Sequence, residues 1–496
     1  MPSRRDFLRH ALVAGPGLWL APELVLADPY RPALHRMLSG RPVRIRGRVV
    51  SGARGLGGVA VSDGLDVVET AADGSFELLT TDRQRFAFIS VPAGHAIPTS
   101  ASGTAAFFRA IAPNAGGEME VEFSLDRSAD DNRHAFLALG DTQTQTAFEM
   151  GRLHDESIPD IRRTVDRLGG AAAFGVAVGD IMFDDLSLFP DYERAVSRTG
   201  VPFFQVVGNH DLDLDAGVDP ESVKTFERYF GPTYYSFDRG EVHYVVLDDV
   251  LWHGAGYIGH VGAEQLSWLA ADLSRVEDGR TVVVFLHIPA YCTQHLRRGQ
   301  DSPSHSVTVT NRELLYRLLE PFEAHLISGH THENEHVFEG GVHEHVLGTT
   351  CGAWWSDNIC HDGTPNGYAV YEVAGSRVSW RYKSTGEPVS SQIRLFSPGA
   401  DPLHPDEMIA NVWDWDPSWE VVWLEDGVRR GALAPRVGFD PLTVARFDGD
   451  RAPAHRPWVQ PMPTGHLLRA PLPSTVGSVV VEATDRFGRT YSARLL

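Results

Sequence analysis

Five apolar runs in the middle of the chain each end directly in side chains that can bind a metal ion. Runs of this kind, without polar alternation, are typical of buried central strands. In chain order the clusters that follow them are Asp141 with Gln143, Asp180, Asn209-His210-Asp211, His287, and His330 with His332. Because open α/β sheets bind ligands outside the carboxyl ends of their strands, we expect these side chains to meet at one sheet edge.

The clusters offer carboxylate, amide and imidazole ligands. A mixed oxygen and nitrogen set suits Mn, Fe, Co or Zn in a catalytic site and disfavours a structural zinc knuckle. Taken alone, Asp141 or Asp180 could equally be a helix cap after a strand. The ordered series of five clusters nevertheless predicts a metal-dependent catalytic site.

The series Asp-x-Gln, Gly-Asp, Gly-Asn-His-Asp, His and Gly-His-x-His resembles the motifs of the calcineurin-like metallophosphoesterases over residues 134–384. The resemblance implies an α/β fold, with a four-layer α-β-β-α core whose two sheets face each other. It also implies two divalent transition-metal ions at one end of the core. The implied ligands are Asp141 and His332 for the first ion, Asn209, His287 and His330 for the second, and Asp180 bridging both.

By the same resemblance, His210 would hydrogen-bond the phosphate or protonate the leaving oxygen. Asp211 is grouped with it as a catalytic residue that also helps to hold the loop. Two divalent ions about 3.5–4 Å apart can share a water, lower its pKa and aim the bridging hydroxide at phosphorus. We therefore expect hydrolysis of a small phosphate mono- or diester.

Two positions depart from patterns found among these enzymes. Gln143 stands where many members have histidine, and it is kept as a candidate ligand although an amide oxygen is usually the weaker donor. The first ion would then bind loosely or through water. Phe183 stands where purple acid phosphatases have a tyrosine ligand, so an iron–tyrosinate site is not expected.

Charge and cysteine content narrow the possible partners. The 496 residues include 44 basic and 65 acidic side chains, for a formal net charge of −21. That balance argues against a general nucleic-acid or anionic-membrane surface, because phosphate backbones need clustered Lys and Arg. Three cysteines are too few for a disulfide scaffold, although one Cys351–Cys360 bridge could form.

The first 27 residues are typical of a twin-arginine signal peptide. Arg4-Arg5 precedes a moderately apolar stretch that ends in a small-residue cleavage site. Pro16 and Pro22 argue against a stable spanning helix, so no stable membrane insertion is expected. The sequence predicts export, most simply to the periplasm.

Two small all-β domains are expected on either side of the core. Residues 43–127 resemble transthyretin-like or carboxypeptidase-regulatory-like sandwiches, through Gly47 and the turn Asp73-Gly74-Ser75-Phe76. Residues 388–496 return to Pro-rich turns and short strand-like pieces. This three-part layout resembles an exported bacterial branch of the same superfamily.

A competing hypothesis is a binding protein, in which a degenerate phosphoesterase core tethers envelope glycans or proteins. A binding scaffold needs neither the bridging carboxylate Asp180 nor the proton donor His210, so the hydrolase is favoured. Trp354 and Trp355 could line a pocket beside the metals or simply pack between domains. Residue types leave open the natural substrate, the monoester or diester preference, the metal identity and the oligomeric state.

Overall fold

The computed structural model describes residues 40–495, except residues 129, 171 and 473–476. The predicted signal peptide, residues 1–27, lies outside the described residues. Within the part of the chain that is described, no helix is both long and apolar enough to cross a membrane.

The N-terminal part consists of the strands β1 (Pro42–Ser51), β2 (Arg54–Gly55), β3 (Ala60–Ser62), β4 (Val67–Glu69), β5 (Ser75–Thr81), β6 (Phe86–Ile89), β7 (Phe108–Ala110) and β8 (Glu118–Ser124). They form a pair of four-stranded sheets, ordered β2-β1-β5 with β8 beside β1, and β4-β3-β6-β7. Val43 and Ile45 of β1 are buried between exposed Arg44 and Arg46, the alternation of a strand with one face in a core.

The central part alternates strands and helices. Its strands are β9 (Arg133–Leu139), β10 (Ala172–Val178), β11 (Phe203–Val206), β12 (Tyr235–Arg239), β13 (Val242–Val246), β14 (Val250–Trp252), β15 (Tyr257–Gly259), β16 (Thr281–Phe285), β17 (Glu323–Ser328), β18 (Glu335–Glu339), β19 (Val342–Val346), β20 (Gly367–Ala374) and β21 (Arg377–Ser384). Its α-helices are α1 (Ala147–Arg152), α2 (Ile158–Arg167), α3 (Phe189–Ser197), α4 (Asp219–Ser222), α5 (Lys224–Phe230), α6 (Ala263–Leu273), α7 (Gln294–Arg297) and α8 (Arg312–Leu319).

Eleven of these strands form two sheets, ordered β11-β10-β9-β20-β21 and β12-β13-β16-β17-β19-β18, and β14 pairs with β15 in a separate two-stranded sheet. Aromatic rings fill the space between the sheets, for example Phe136 against Phe285 and Phe174 against Tyr244. Helices α2, α3 and α5 join the apolar cluster on the outer face of the first sheet, and α6 and α8 pack on the second. The expected four-layer α-β-β-α core is therefore confirmed.

Strand direction determines where the predicted site lies. Strands β9, β10 and β11 are parallel neighbours in the first sheet, as are β13, β16 and β17 in the second. Each of the five metal-ligand clusters directly follows one of these strands. All five clusters therefore lie at one end of the core, where the carboxyl ends of these parallel strands meet, as expected.

The C-terminal part is again built of two four-stranded sheets, ordered β22-β23-β27-β26 and β25-β24-β28-β29. Met408, Trp419 and Val481 belong to a hydrophobic core of its own. The elements are β22 (Ile393–Phe396), β23 (Glu407–Val412), β24 (Glu420–Glu425), β25 (Val428–Ala432), β26 (Ala434–Pro435), α9 (Pro441–Phe447), β27 (Leu467–Pro471), β28 (Val479–Thr484) and β29 (Thr490–Arg494).

The cysteine bridge left open by the sequence is not formed. Cys292, Cys351 and Cys360 are all free, buried thiols. The Thr349 hydroxyl lies 3.6 Å from the Cys351 sulfur and 3.5 Å from the Cys360 sulfur. Each sulfur therefore contacts this hydroxyl instead of the other sulfur.

A buried histidine links α6 to the second sheet. His243 Nδ1 lies 2.9 Å from Asp238 and its Nε2 lies 2.9 Å from Asp272 on α6. Burial lowers the pKa of this imidazole, but Asp272 and Asp238 outweigh that effect and raise the pKa to about 10. Since the ordinary value is 6.5, the stabilisation is complete below that pH and is lost as pH rises through the folded-state pKa.

We expect the wild-type free energy of unfolding to fall by on the order of 1 kcal/mol per pH unit between pH 7 and 10, through this group alone. The His243→Gln variant should lack that part of the slope and be less stable at pH 7. Urea unfolding of both proteins across this range measures the difference. Identical slopes in the two proteins would mean that His243 is not charged in the folded state.

Candidate metal centre

Left-handed backbone is concentrated in the loops at this end of the core. Of the nine described non-glycine residues with positive φ, only Asp426 lies elsewhere. Such conformations cost on the order of 1–3 kcal/mol each and persist where the surroundings impose them, often at functional sites. The eight are Asp141 (φ 37°), Gln143 (φ 40°), Asp180 (φ 48°), Asp184 (φ 66°), His330 (φ 68°), His332 (φ 55°), Trp354 (φ 48°) and Trp355 (φ 62°).

Two glycines allow the carboxylates to approach the neighbouring backbone. A Cβ on Gly208 would lie 2.0 Å from the Asp180 nitrogen and 2.3 Å from its Oδ1. A Cβ on Gly329 would lie 2.4 Å from Asp141 Oδ2. No side chain fits at either distance, so the loops close around Asp141 and Asp180 only with glycine there.

Asp180 is the buried centre of the site. Its Oδ1 accepts a hydrogen bond from the His210 backbone N–H at 2.9 Å, and its Oδ2 accepts one from Gln143 Nε2 at 2.8 Å. The same Oδ1 lies 3.2 Å from His287 Nε2. The carboxylate therefore contacts residues of three of the predicted clusters.

Carbonyl groups fix which nitrogen of two histidines faces the centre. His287 Nδ1 lies 2.9 Å from the Val178 carbonyl, and His330 Nε2 lies 2.8 Å from the Ser306 carbonyl. Each of these nitrogens must carry the proton, because a carbonyl can only accept. His287 Nε2 and His330 Nδ1 then face each other, 3.2 Å apart. Their lone pairs would repel unless a proton or a metal ion lies between them.

The remaining predicted ligands lie next to one another or next to His287. His332 Nε2 lies 3.4 Å from Asp141 Oδ1, and Asn209 Oδ1 lies 3.2 Å from His287 Nε2. The Gln143 Oε1 is buried and accepts no hydrogen bond from the described residues. All seven predicted ligands thus lie at one end of the core, and each contacts at least one other of them.

The electrostatics of the site favour positive charge at its centre. Burial raises the pKa of Asp180, but the nearby His287 and His210 outweigh that effect and lower it. Burial lowers the pKa of His287, yet the attraction of Asp180 raises it to about 10. Burial and His287 lower the pKa of His330 to about 4. Asp180 and His287 thus stabilise a positive charge between them, at a point that a metal ion could occupy.

The residues present fit a divalent cation. One ligand atom each from Asp180, His287 and His330 all lie within 4.8 Å of one another. Carboxylate and imidazole with oriented lone pairs are the ligands of catalytic zinc, iron and manganese sites. The carbonyl groups that hold His287 and His330 act as the outer hydrogen bonds that orient metal-bound imidazoles.

His210 and Asp211 differ in what they can do. His210 Nδ1 lies 2.7 Å from Asp184, and the pKa of His210, which burial lowers, is raised overall by Asp180 and Asp184. Asp211 is fully buried and accepts hydrogen bonds from the backbone N–H groups of Ile181, Met182 and Gly208 at 2.9–3.0 Å. Both oxygens of Asp211 thus hold backbone, which is the loop-holding part of the role expected for it.

Two carboxylates at the site were not among the predicted residues. Asp249 Oδ1 accepts a hydrogen bond from the His287 backbone N–H at 3.1 Å, and Asp184 orients His210. Asp249 follows the apolar run of β13, which is the same signal that marked the other clusters. Asp184 has no such signal, since it follows Phe183 within a loop.

Family models of the calcineurin-like phosphoesterases match three consecutive parts of the chain. The model of the N terminal of the family matches residues 43–128 and the model of the C terminal matches residues 344–491. The model named Calcineurin-like phosphoesterase itself matches residues 134–334.

Known proteins with similarity to this chain include the serine/threonine-protein phosphatase CPPED1. The Bos taurus protein is 29% identical over 195 residues, which are 38% of this chain and 57% of that protein. The Homo sapiens protein is 28% identical over 202 residues, which are 39% of this chain and 59% of that protein. The chain thus spans less than two thirds of the length of these relatives.

Among solved structures, a dimetal phosphatase from Danio rerio is similar at 15% identity and a TM-score of 0.34, covering 51% of this chain and 96% of that one. The three matched models belong to one family and together span most of the chain. The chain therefore belongs to the calcineurin-like phosphoesterases, a family of metal-dependent hydrolases of phosphate esters.

Proposed function

We propose that the chain hydrolyses a phosphate mono- or diester at a site that holds two divalent transition-metal ions. The observation that carries the proposal is the pair of imidazole nitrogens, 3.2 Å apart, that converge beside the buried carboxylate of Asp180. A binding scaffold would have no need for imidazoles that converge on a buried carboxylate. The degenerate, binding-only alternative is for this reason the weaker one.

Asp141 and His332 would hold one ion, Asn209, His287 and His330 the other, and Asp180 would contact both. Gln143 would reach the first ion through its buried Oε1, or through a water. When bound, the ions supply the positive charge that neutralises the phosphoryl oxygens and lowers the pKa of the attacking water.

The chain's own residues then have separate tasks. Asp184 accepts a hydrogen bond from His210 Nδ1–H, which fixes the ring and leaves Nε2 to donate a proton to the leaving oxygen. Asp211 holds the loops of Asp180 and Asn209 in register through the backbone of Ile181 and Gly208. Such rigid support matters because the reaction rate falls steeply when catalytic groups are displaced from their positions.

The Asp180→Asn variant should lose metal as well as activity. An amide offers one neutral oxygen where the carboxylate offers two charged ones, so the metal content should fall and turnover should fall on the order of 10²–10³-fold. Elemental analysis with bis-p-nitrophenyl phosphate assays measures both. Asp166→Asn, an exposed carboxylate on α2, is the matched control. Full metal content and full rate in Asp180→Asn would exclude the bridging role.

The His210→Ala variant should keep metal and fold while turnover falls on the order of 10²–10⁴-fold. The loss should be larger for an alkyl phosphate than for p-nitrophenyl phosphate, because p-nitrophenolate leaves without needing a proton. His253→Ala, at an exposed turn, serves as the control. Equal losses on both substrates would show that His210 binds the phosphate and does not protonate the leaving group.

A further inference from the structure

Three aromatic side chains from distant parts of the sequence meet beside the metal centre. Phe183 comes from the loop after β10, Trp354 from the loop after β19, and Trp458 from the C-terminal part. We call Phe183, Trp354 and Trp458 the aromatic wall. None of the tasks proposed above uses it.

The aromatic wall touches the site through two of its histidines. The Phe183 ring packs against His210 with centroids 4.4 Å apart, and Trp354 stacks on His332 at 3.9 Å with an interplanar angle of 14°. Trp458 lies 6.0 Å from Phe183 and 6.3 Å from Trp354, centroid to centroid. The indole of Trp458 therefore lies between the ring beside the proposed acid and the ring beside a proposed ligand.

Burial distinguishes Trp458 from ordinary interdomain packing. Its surface is 47% exposed, although it lies in a structured interface. An aromatic side chain that served only to fill packing space would be largely buried, as Trp355 is in the core at 3%. Trp458 thus leaves about half of its surface exposed beside the aromatic rings of the site.

Arg456 packs against two rings of the aromatic wall and holds them in place. It is only 7% exposed, and its guanidinium packs over the rings of Phe183 and Trp458 at 4.9 and 5.5 Å. Its two terminal nitrogens donate to Gln145 and Glu149, each at 2.9 Å. The charge is therefore paired with Glu149, although the buried Nε has no hydrogen-bond partner among the described residues. Arg456 thus holds the aromatic wall in place.

The chain around Trp458 is held on both sides. His455 Nε2 lies 3.1 Å from the Ser356 hydroxyl, and the Met462 backbone N–H donates to the His361 carbonyl at 2.8 Å. Both partners belong to the loops after β19. The Trp458 segment is therefore ordered before a substrate arrives, so little entropy is lost when one stacks there.

We propose that the aromatic wall is the subsite for a planar aromatic group on the alcohol side of the phosphate ester, such as a nucleobase or an aryl ring, which stacks on Trp458. Stacking suits this subsite because the exposed indole offers a π-face and Arg456 is already paired. The inference rests on the proposed hydrolysis, and it makes the C-terminal part a component of the active site.

Adenosine 5′-monophosphate and ribose 5-phosphate are the matched probes, since both release a primary alcohol and only one carries a base. We expect the metal-loaded wild type to prefer the nucleotide in kcat/KM. Trp458→Ala should lower kcat/KM for the nucleotide about tenfold, through KM, and change ribose 5-phosphate hydrolysis by less than about twofold. Trp458→Phe should keep most of the preference, and Phe439→Ala, another half-exposed ring of the C-terminal part, should keep all of it.

The outcomes separate this inference from the proposed function. If Trp458→Ala left kcat/KM unchanged for both probes, or lowered it equally for both, the subsite would be overturned and the hydrolysis proposal would stand. No hydrolysis of either probe, or of bis-p-nitrophenyl phosphate, by the metal-loaded wild type would overturn the proposed function itself. Circular dichroism of each variant confirms that the comparison is between folded proteins.

Discussion

The buried carboxylate of Asp180 is the constraint on which the rest of the site depends. A charge with almost no exposure is costly unless several donors or a cation compensate it. Here the His210 backbone and Gln143 supply hydrogen bonds, and His287 and His330 converge on the same point. These partners come from different strands, so satisfying one carboxylate brings the loops of both sheets together.

Support for that arrangement reaches beyond the phosphoesterase core. The strained turns at Asp141, Asp180 and His330 persist because backbone contacts on every side hold them, including the three N–H groups on Asp211. Arg456 of the C-terminal part donates hydrogen bonds to Gln145 and Glu149, which follow the first metal-ligand cluster in the chain. The predicted ligands are therefore held by contacts from both the core and the C-terminal part, while the aromatic wall beside them stays partly exposed.

The sequence was sufficient to predict the convergence of the five clusters, because each cluster follows an apolar strand, and the family resemblance supplied the layered core. The sequence was not sufficient for the side-chain roles. Asp211 lies beside His210 in the chain, yet its buried oxygens bind backbone, which only the loop geometry reveals. Cys351 and Cys360 are near in sequence, but both sulfurs contact Thr349. Trp458 is distant in sequence from every ligand, so no local pattern could have linked it to the site.

The most direct test of the central claim is metal analysis of the purified chain, paired with hydrolysis of bis-p-nitrophenyl phosphate and p-nitrophenyl phosphate with and without chelator. We predict about two divalent ions per chain and hydrolysis that a chelator abolishes and that Mn, Fe, Co or Zn restores. Metal-free protein that stays inactive after each of these ions is added would contradict the proposed hydrolysis and favour the binding protein.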